Sequence, residues 1–384
     1  SVLIRSDFID YEKDLLSKLR IFKHQLALAP TVIPLGDWSL VPKSMPPCSN
    51  DTHGVIHFCP ADRWAAIVKS SDKDKPKAEF RLMAQPSVDF HLLSALWMLK
   101  VGHLYDEKLG ENAYGNRLRR RLDGSINPLS LGSFMPYLKP FREWRDSGID
   151  ALRTALNEGK KVVTITADVS GFYHELNPGF MLNDDFLNAI NLKLGKAQRA
   201  LTEIFIDALG RWAQSTPLKK GLPVGLPASG LVANMALIEL DRVIKRELVP
   251  LHYGRYVDDI MLAIENGSGF KTQEAVWEWI FKRVNGLLKW ASDDSCKNTV
   301  SFAPSYLSDS KIWFSNEKNK VFLIGGESGK ALIDSIAHHV RQRASEWRAL
   351  PDLPMDPKHV ATALVEATQN NGEKADSLRK ADSL

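Results

Sequence analysis

HYGRYVDDIMLAI, residues 252–264, consists of two short apolar runs around an acidic pair. Runs of this kind predict an antiparallel hairpin, with Asp258 and Asp259 at its tip. Successive strand residues point to opposite faces, but at a tight tip both carboxylates can approach one ion. Apolar flanks make each negative charge costly to desolvate. A polar turn is the competing explanation, since Asp favours turns for local hydrogen-bonding reasons.

Ninety residues upstream, KVVTITA (161–167) is β-branched and weakly alternating, which predicts a strand ending at Asp168. An acid there also suits the N-cap of a helix through GFYHEL. Placed side by side in one sheet, Asp168 and the hairpin pair acquire a shared meaning. Convergent carboxylates repel one another and require a divalent cation, and hard oxygen ligands select Mg²⁺. Two such ions about 3.5–4 Å apart serve in-line phosphoryl transfer.

Between these features lies GLPVGLPAS (221–229), running into a helix from Leu231. Glycines there let backbone approach a flat ligand, such as a base pair. Ser229 stands where it can cap that helix. Helical periodicity is also expected over 7–29, 87–109, 141–158, 183–211 (broken near Gly195), 231–248 and 272–292. Ser87 is the expected N-cap of the second of these, and Gly159 ends the third. The prolines of 30–60 predict irregular chain, SSDKDKPK a polar loop, and 311–325 two short strands. The tail, 331–384, has a helical pattern interrupted by prolines. Strands interleaved with helices around a hairpin argue for an α+β fold with helices against an antiparallel sheet. Neither a P-loop nor G-x-G-x-x-G is present, which weighs against a nucleotide-binding Rossmann or P-loop core.

The 384 residues suggest two or three lobes. At 44% hydrophobic and 25% charged, the chain is neither disordered nor fibrous. A net charge of +4 tolerates a polyanionic partner without demanding one. No apolar stretch suits a membrane helix, and the N-terminus lacks a signal pattern. Three scattered cysteines, Cys48, Cys59 and Cys296, suit neither a disulfide framework nor a metal cage. A cytoplasmic setting is expected. Arg117, Arg119, Arg120 and Arg121 suit phosphate contacts or a solvated loop equally. Trp97 and Trp144 read as core, whereas Trp313 and Trp347 are better candidates for stacking on bases. His174 reads as packing, and Lys297 as a candidate general acid.

Asp168-Val169-Ser170-Gly171-Phe172-Tyr173, the glycine-rich loop with Ser229 and Asn234, and Tyr256-Val257-Asp258-Asp259 follow the order and spacing of reverse transcriptase motifs A, B and C. The sequence resembles a reverse transcriptase over roughly residues 75–325, and Asn112-Ala113-Tyr114-Gly115-Asn116-Arg117 is similar to a fingers segment of bacterial members. The resemblance implies a right-hand polymerase: N-terminal extension and fingers over 1–155, palm over 156–310, and primer-grip strands with a helical thumb-like end over 311–384. It implies RNA-directed DNA synthesis with Mg²⁺, dNTP substrates, an RNA template and a DNA product. Asp168 and Asp258 would hold both metals, with the Val169 carbonyl as a further ligand and Asp259 in support. Tyr173 would exclude a ribose 2′-OH. Arg81 would meet the triphosphate, and Gly225 and Ser229 would line the nucleotide site.

Val224 departs from the Gln that most retroviral and mobile-intron enzymes carry before the motif B glycine. With Lys318–Leu323 and Ser345–Arg348 downstream, this looks more like the bacterial defence-associated and abortive-infection reverse transcriptases. Some of those prime on a protein hydroxyl or synthesise DNA without a template, which remains the alternative reaction. A defence partner protein or a homo-oligomer is the partner so implied.

Overall fold

The chain is described here from a computed structural model covering residues 6–44, 79–127, 132–291, 299–314 and 319–342. The polar loop SSDKDKPK, all three cysteines, Lys297, Lys318 and Trp347 lie outside the described residues. The chain divides into two compact units, Ser1–Ile324 and Gly325–Leu384.

Local sequence accounts for most element boundaries. Helices α1 (Ser6–Lys13) and α2 (Leu15–Leu28) divide the amphipathic run expected over 7–29 at Asp14, which leaves helical geometry. Aspartate competes for backbone hydrogen bonds and is a weak helix former. The proline-rich region contains a strand that periodicity did not suggest. Strand β1 (Gly36–Ser44) pairs antiparallel with β2 (Glu79–Pro86). Pro42 is tolerated because the ribbon has only two strands and its register shifts between Pro42 and Ser44. Helix α3 (Val88–Trp97) begins where expected, with the Ser87 hydroxyl accepting from the Phe90 amide at 3.1 Å. A π turn at Met98–Gly102 carries it into α4 (His103–Asp106). Helix α5 (Leu138–Asn157) is followed by Gly159 at φ +76°.

Strand β3 (Val162–Asp168) precedes α6 (Phe172–Glu175), α7 (Asp184–Ala189) and α8 (Lys196–Ser215), the last starting after Gly195. Helices α9 (Pro227–Ala236) and α10 (Ile238–Val243) lead to β4 (His252–Tyr256) and β5 (Asp259–Glu265). Helix α11 (Gln273–Arg283) stops well short of residue 292. Asn285 and Gly286, both at positive φ, turn the chain into β6 (Leu288–Trp290), so the end of the expected helix is strand. Strands β7 (Val300–Phe302), β8 (Ile312–Phe314) and β9 (Lys320–Ile324) complete the first unit, and α12 (Gly326–Gln342) opens the second.

The central sheet has the order β4-β5-β3-β9 and is antiparallel throughout. Val162, Val163, Thr164 and Ile165 of β3 are all buried, which requires cover on both faces and explains the weak alternation of KVVTITA. Helix α5 packs along β3, β4 and β5. The architecture is therefore α+β, with a second antiparallel sheet, β6-β7-β8, joined to the end of β3. Trp97 is fully buried and stacks on Phe205 at 4.6 Å, and Trp144 is also core.

Candidate active site

Sheet register brings the acidic residues together. Asp168, the last residue of β3, pairs directly with Asp259, the first of β5. Tyr256 pairs with Asp259 across the hairpin, leaving Val257 and Asp258 as a two-residue tip. Val257 has φ +60° and Asp258 does not share it, the sign pattern of a type II′ turn. A β-branched residue in that region costs about 1–3 kcal/mol and persists only where its surroundings impose it. Here the Val257 carbonyl accepts from Arg255 Nη1 at 3.1 Å.

Asp168 and Asp258 are half-buried and Asp259 is exposed. Asp258 is hydrogen-bonded to Asp168. Burial first, then the negative charges of Asp168 and Asp259, push the Asp258 carboxyl up to about 7. Asp168 does not cap a helix: the N-cap of α6 is Gly171, in left-handed geometry.

Under the tip lies a buried guanidinium that sequence reasoning missed. Arg255 is 0% exposed, and all its N–H groups are used. It donates to both Asp241 carboxylate oxygens at 2.8–3.0 Å, to the Asn234 side-chain oxygen at 2.6 Å, and to the carbonyls of Asn234 and Val257. Tyr253 donates to the same Asp241 at 2.6 Å. The Arg255 backbone also exchanges hydrogen bonds with Asn112 and Tyr114, tying the hairpin to the segment before Asn116. A charged residue inside the otherwise apolar HYGRY run was the available signal. Tyr137, whose hydroxyl is held protonated by burial and the nearby Asp259 charge, was likewise unforeseen.

Tyr173 lies close to this cluster. Burial and the Asp258 charge raise its phenol well above the usual range, so it stays neutral. Its oxygen accepts from Asn116 Nδ2 at 3.3 Å. Val169, immediately after Asp168, is buried and bridges to Phe314, while the Ser170 amide donates to the Trp313 carbonyl at 2.8 Å. Arg81 is exposed on β2. That strand reaches the glycine-rich loop through the Ala84 amide, which donates to the Val224 carbonyl at 2.8 Å. Gly225 is exposed at φ +106°, beside Ala84. His174 Nε2 lies 3.4 Å from the Leu82 carbonyl.

Two expectations need correction. Ser229 does not cap a helix: α9 begins earlier, with Pro227 at its first turn, and the Ala228 amide is capped by the Ser94 hydroxyl at 3.2 Å. Ser229 is fully buried within α9, and its hydroxyl has no hydrogen-bond partner among the described residues. Arg117 and Arg120 are not part of a solvated loop: the structure uses them internally. Both bind the buried Asp106 carboxylate, at 3.1 and 3.0 Å, and both also bond nearby carbonyls. A buried carboxylate needs such partners.

Among the described residues, no three or more His, Cys, Asp or Glu side chains are grouped so that together they could hold a metal ion. The donor set nevertheless fits Mg²⁺, which is typically held by one or two carboxylates plus substrate phosphates. Burial and the neighbouring Asp168 and Asp259 charges push the Asp258 carboxyl up, a repulsion that a bound cation would relieve.

Residues 71–329 match the family described as reverse transcriptase (RNA-dependent DNA polymerase), well over half of the chain. The chain belongs to this family, and it is an RNA-directed DNA polymerase, a nucleotidyltransferase. A search of the curated proteins found no match. Among the described residues no helix is long and apolar enough to cross a membrane.

Proposed function

We propose that this chain copies RNA into DNA with a right-hand arrangement: fingers within 1–155, palm within 156–310, and a thumb-like end from 311. The observation that carries the reading is the juxtaposition of Asp168, Asp258 and Asp259 at one end of the two central strands of the sheet. Asp168 and Asp258 would hold Mg²⁺ with the Val169 carbonyl, and Asp259 would support them on the primer side. When bound, the cations supply positive charge to the transferring phosphoryl group. The protein contributes position: the hairpin fixes Asp258, and β3 fixes Asp168 opposite its partner strand. Arg81 meets the triphosphate of a dNTP, Gly225 lets the loop approach the base pair, and the Tyr173 ring fills the space of a ribose 2′-OH. Ser229 supports the nucleotide site from within α9 rather than by contact. Its resemblance to the defence-associated enzymes supports a role in bacterial antiviral defence, in the cytoplasm, with a partner protein or a second copy.

The test is extension of a DNA primer on an RNA template with purified protein, Mg²⁺ and dNTPs. Incorporation that survives Asp258→Ala would end the reading. Product sequence that ignores the template, or product bound to polypeptide, would select untemplated or protein-primed synthesis instead.

A further inference from the structure

The Tyr173 hydroxyl is bonded by Asn116, a residue whose backbone is anchored and whose side chain is closely packed on one face. Asn116 has φ +50°, a left-handed conformation that Asn adopts more readily than most residues. The carbonyls of Gly115 and Asn116 both accept from Asn234 Nδ2, at 2.7 and 3.3 Å. Asn234 is in turn fixed by the buried Arg255. Gly230 of α9 faces the Asn116 amide so closely that a Cβ there would lie 2.7 Å from Nδ2. The amide therefore occupies a slot that exists because residue 230 has no side chain. From that slot it donates to Tyr173 Oη.

We propose that Asn116 is a specificity-determining residue, which sets the discrimination between deoxyribonucleotides and ribonucleotides by pinning the far end of the Tyr173 ring. The inference rests on the reading of Tyr173 as the sugar gate. Exclusion by a clash works only if the wall does not yield. The main-chain anchor of Tyr173 is at the other end of the residue, where its carbonyl accepts from the Leu222 amide at 2.6 Å. A ring held only there and by packing can tilt away from a 2′-OH. A hydrogen bond at Oη acts at the greatest distance from the backbone, where it resists tilting best.

Four variants test this: Asn116→Gly, Gly230→Ala, Tyr173→Phe and Tyr173→Ala. Asn116→Gly keeps the left-handed backbone accessible and removes the amide. Gly230→Ala leaves both partners intact but fills the slot; the gain in helix propensity offsets part of the crowding, so the variant should fold with a melting temperature lowered by only a few degrees. The readout is the ratio of kcat/KM for dGTP to that for GTP, measured in Mg²⁺ on a cytidine-repeat RNA template with a DNA primer. The ratio should fall by about threefold to tenfold in Asn116→Gly, Gly230→Ala and Tyr173→Phe, the range expected for one hydrogen bond. The Asn116→Gly/Tyr173→Phe double variant should fall no further than either single one, because both remove the same bond. An unchanged ratio in Asn116→Gly and Gly230→Ala, with a lowered ratio in Tyr173→Ala, overturns the inference and leaves the gate reading standing. Equal losses with dGTP and GTP would assign Asn116 a merely structural role and overturn it too. An unchanged ratio in Tyr173→Ala removes the gate and the inference together.

Discussion

Asp241 and Asp258 are chemically identical side chains on either side of one hairpin, and the protein treats them oppositely. Asp241 is buried beneath the tip and fully matched, with Arg255 and Tyr253 on its oxygens. Asp258 sits on the tip beside two further carboxylates, and among the described residues no cationic side chain is bonded to it. One carboxylate is neutralised by the fold. The other carries charge that the fold leaves unbalanced. A matched buried charge is scaffolding, whereas an unmatched one can be matched from outside, and the proposed occupant is a metal ion.

The sharpest way to break this contrast is at the unbalanced site. Asp258→Asn should lower primer extension by at least about 10³-fold, since charge stabilisation of the transferring group depends on the ions. The same variant relieves repulsion, so without Mg²⁺ it should melt no lower than the parent and roughly 2 °C higher if about 1 kcal/mol is recovered. Loss of activity together with loss of folding would contradict the comparison. At the matched site the order reverses. Arg255→Met strands Asp241 without a counter-charge and should cost about 3–5 kcal/mol in chemical denaturation. A smaller step, Tyr253→Phe, removes one hydrogen bond while the guanidinium stays, and should cost about 1 kcal/mol with extension activity retained.

Mg²⁺ sharpens the comparison from the ligand side. In a thermal-shift titration it should raise the melting temperature of the parent and of Tyr253→Phe by mass action. That rise should disappear in Asp258→Asn. The smallest expected effect belongs to His252, whose pKa is lowered from 6.5 by burial. Above about pH 6.5 it is neutral in both folded and unfolded chain and does not affect stability. As pH falls below that value the unfolded chain takes up a proton that the folded chain resists, so stability declines. His252→Gln should flatten the fall in melting temperature between pH 7 and pH 5.

Much of the site was legible because its signals are local. An acidic pair between apolar runs, and an acid closing a β-branched strand, identify a hairpin and a strand end from composition alone. The strand β1 was not legible, because Pro42 and the prolines flanking the strand speak against pairing and only an edge position rescues Pro42. The true start of α9 was obscured by a serine that resembled a cap, although Pro227 was the better signal. Arg117 and Arg120 looked like a cationic surface because their partner, Asp106, is separated from them by a loop and buried beneath it. The Asn116–Tyr173 bond spans 57 residues, and no periodicity carries information over such a distance.

The pairing of Asp168 with Asp259 is counted in whole residues. Sliding β3 by one place against β5 would set Ala167 against Asp259 and turn Asp168 to the opposite side of the sheet. Half a place does not exist. Substitutions that loosen these two strands should therefore divide a sample into competent and dead molecules, lowering the titratable active fraction while the survivors keep the parental KM.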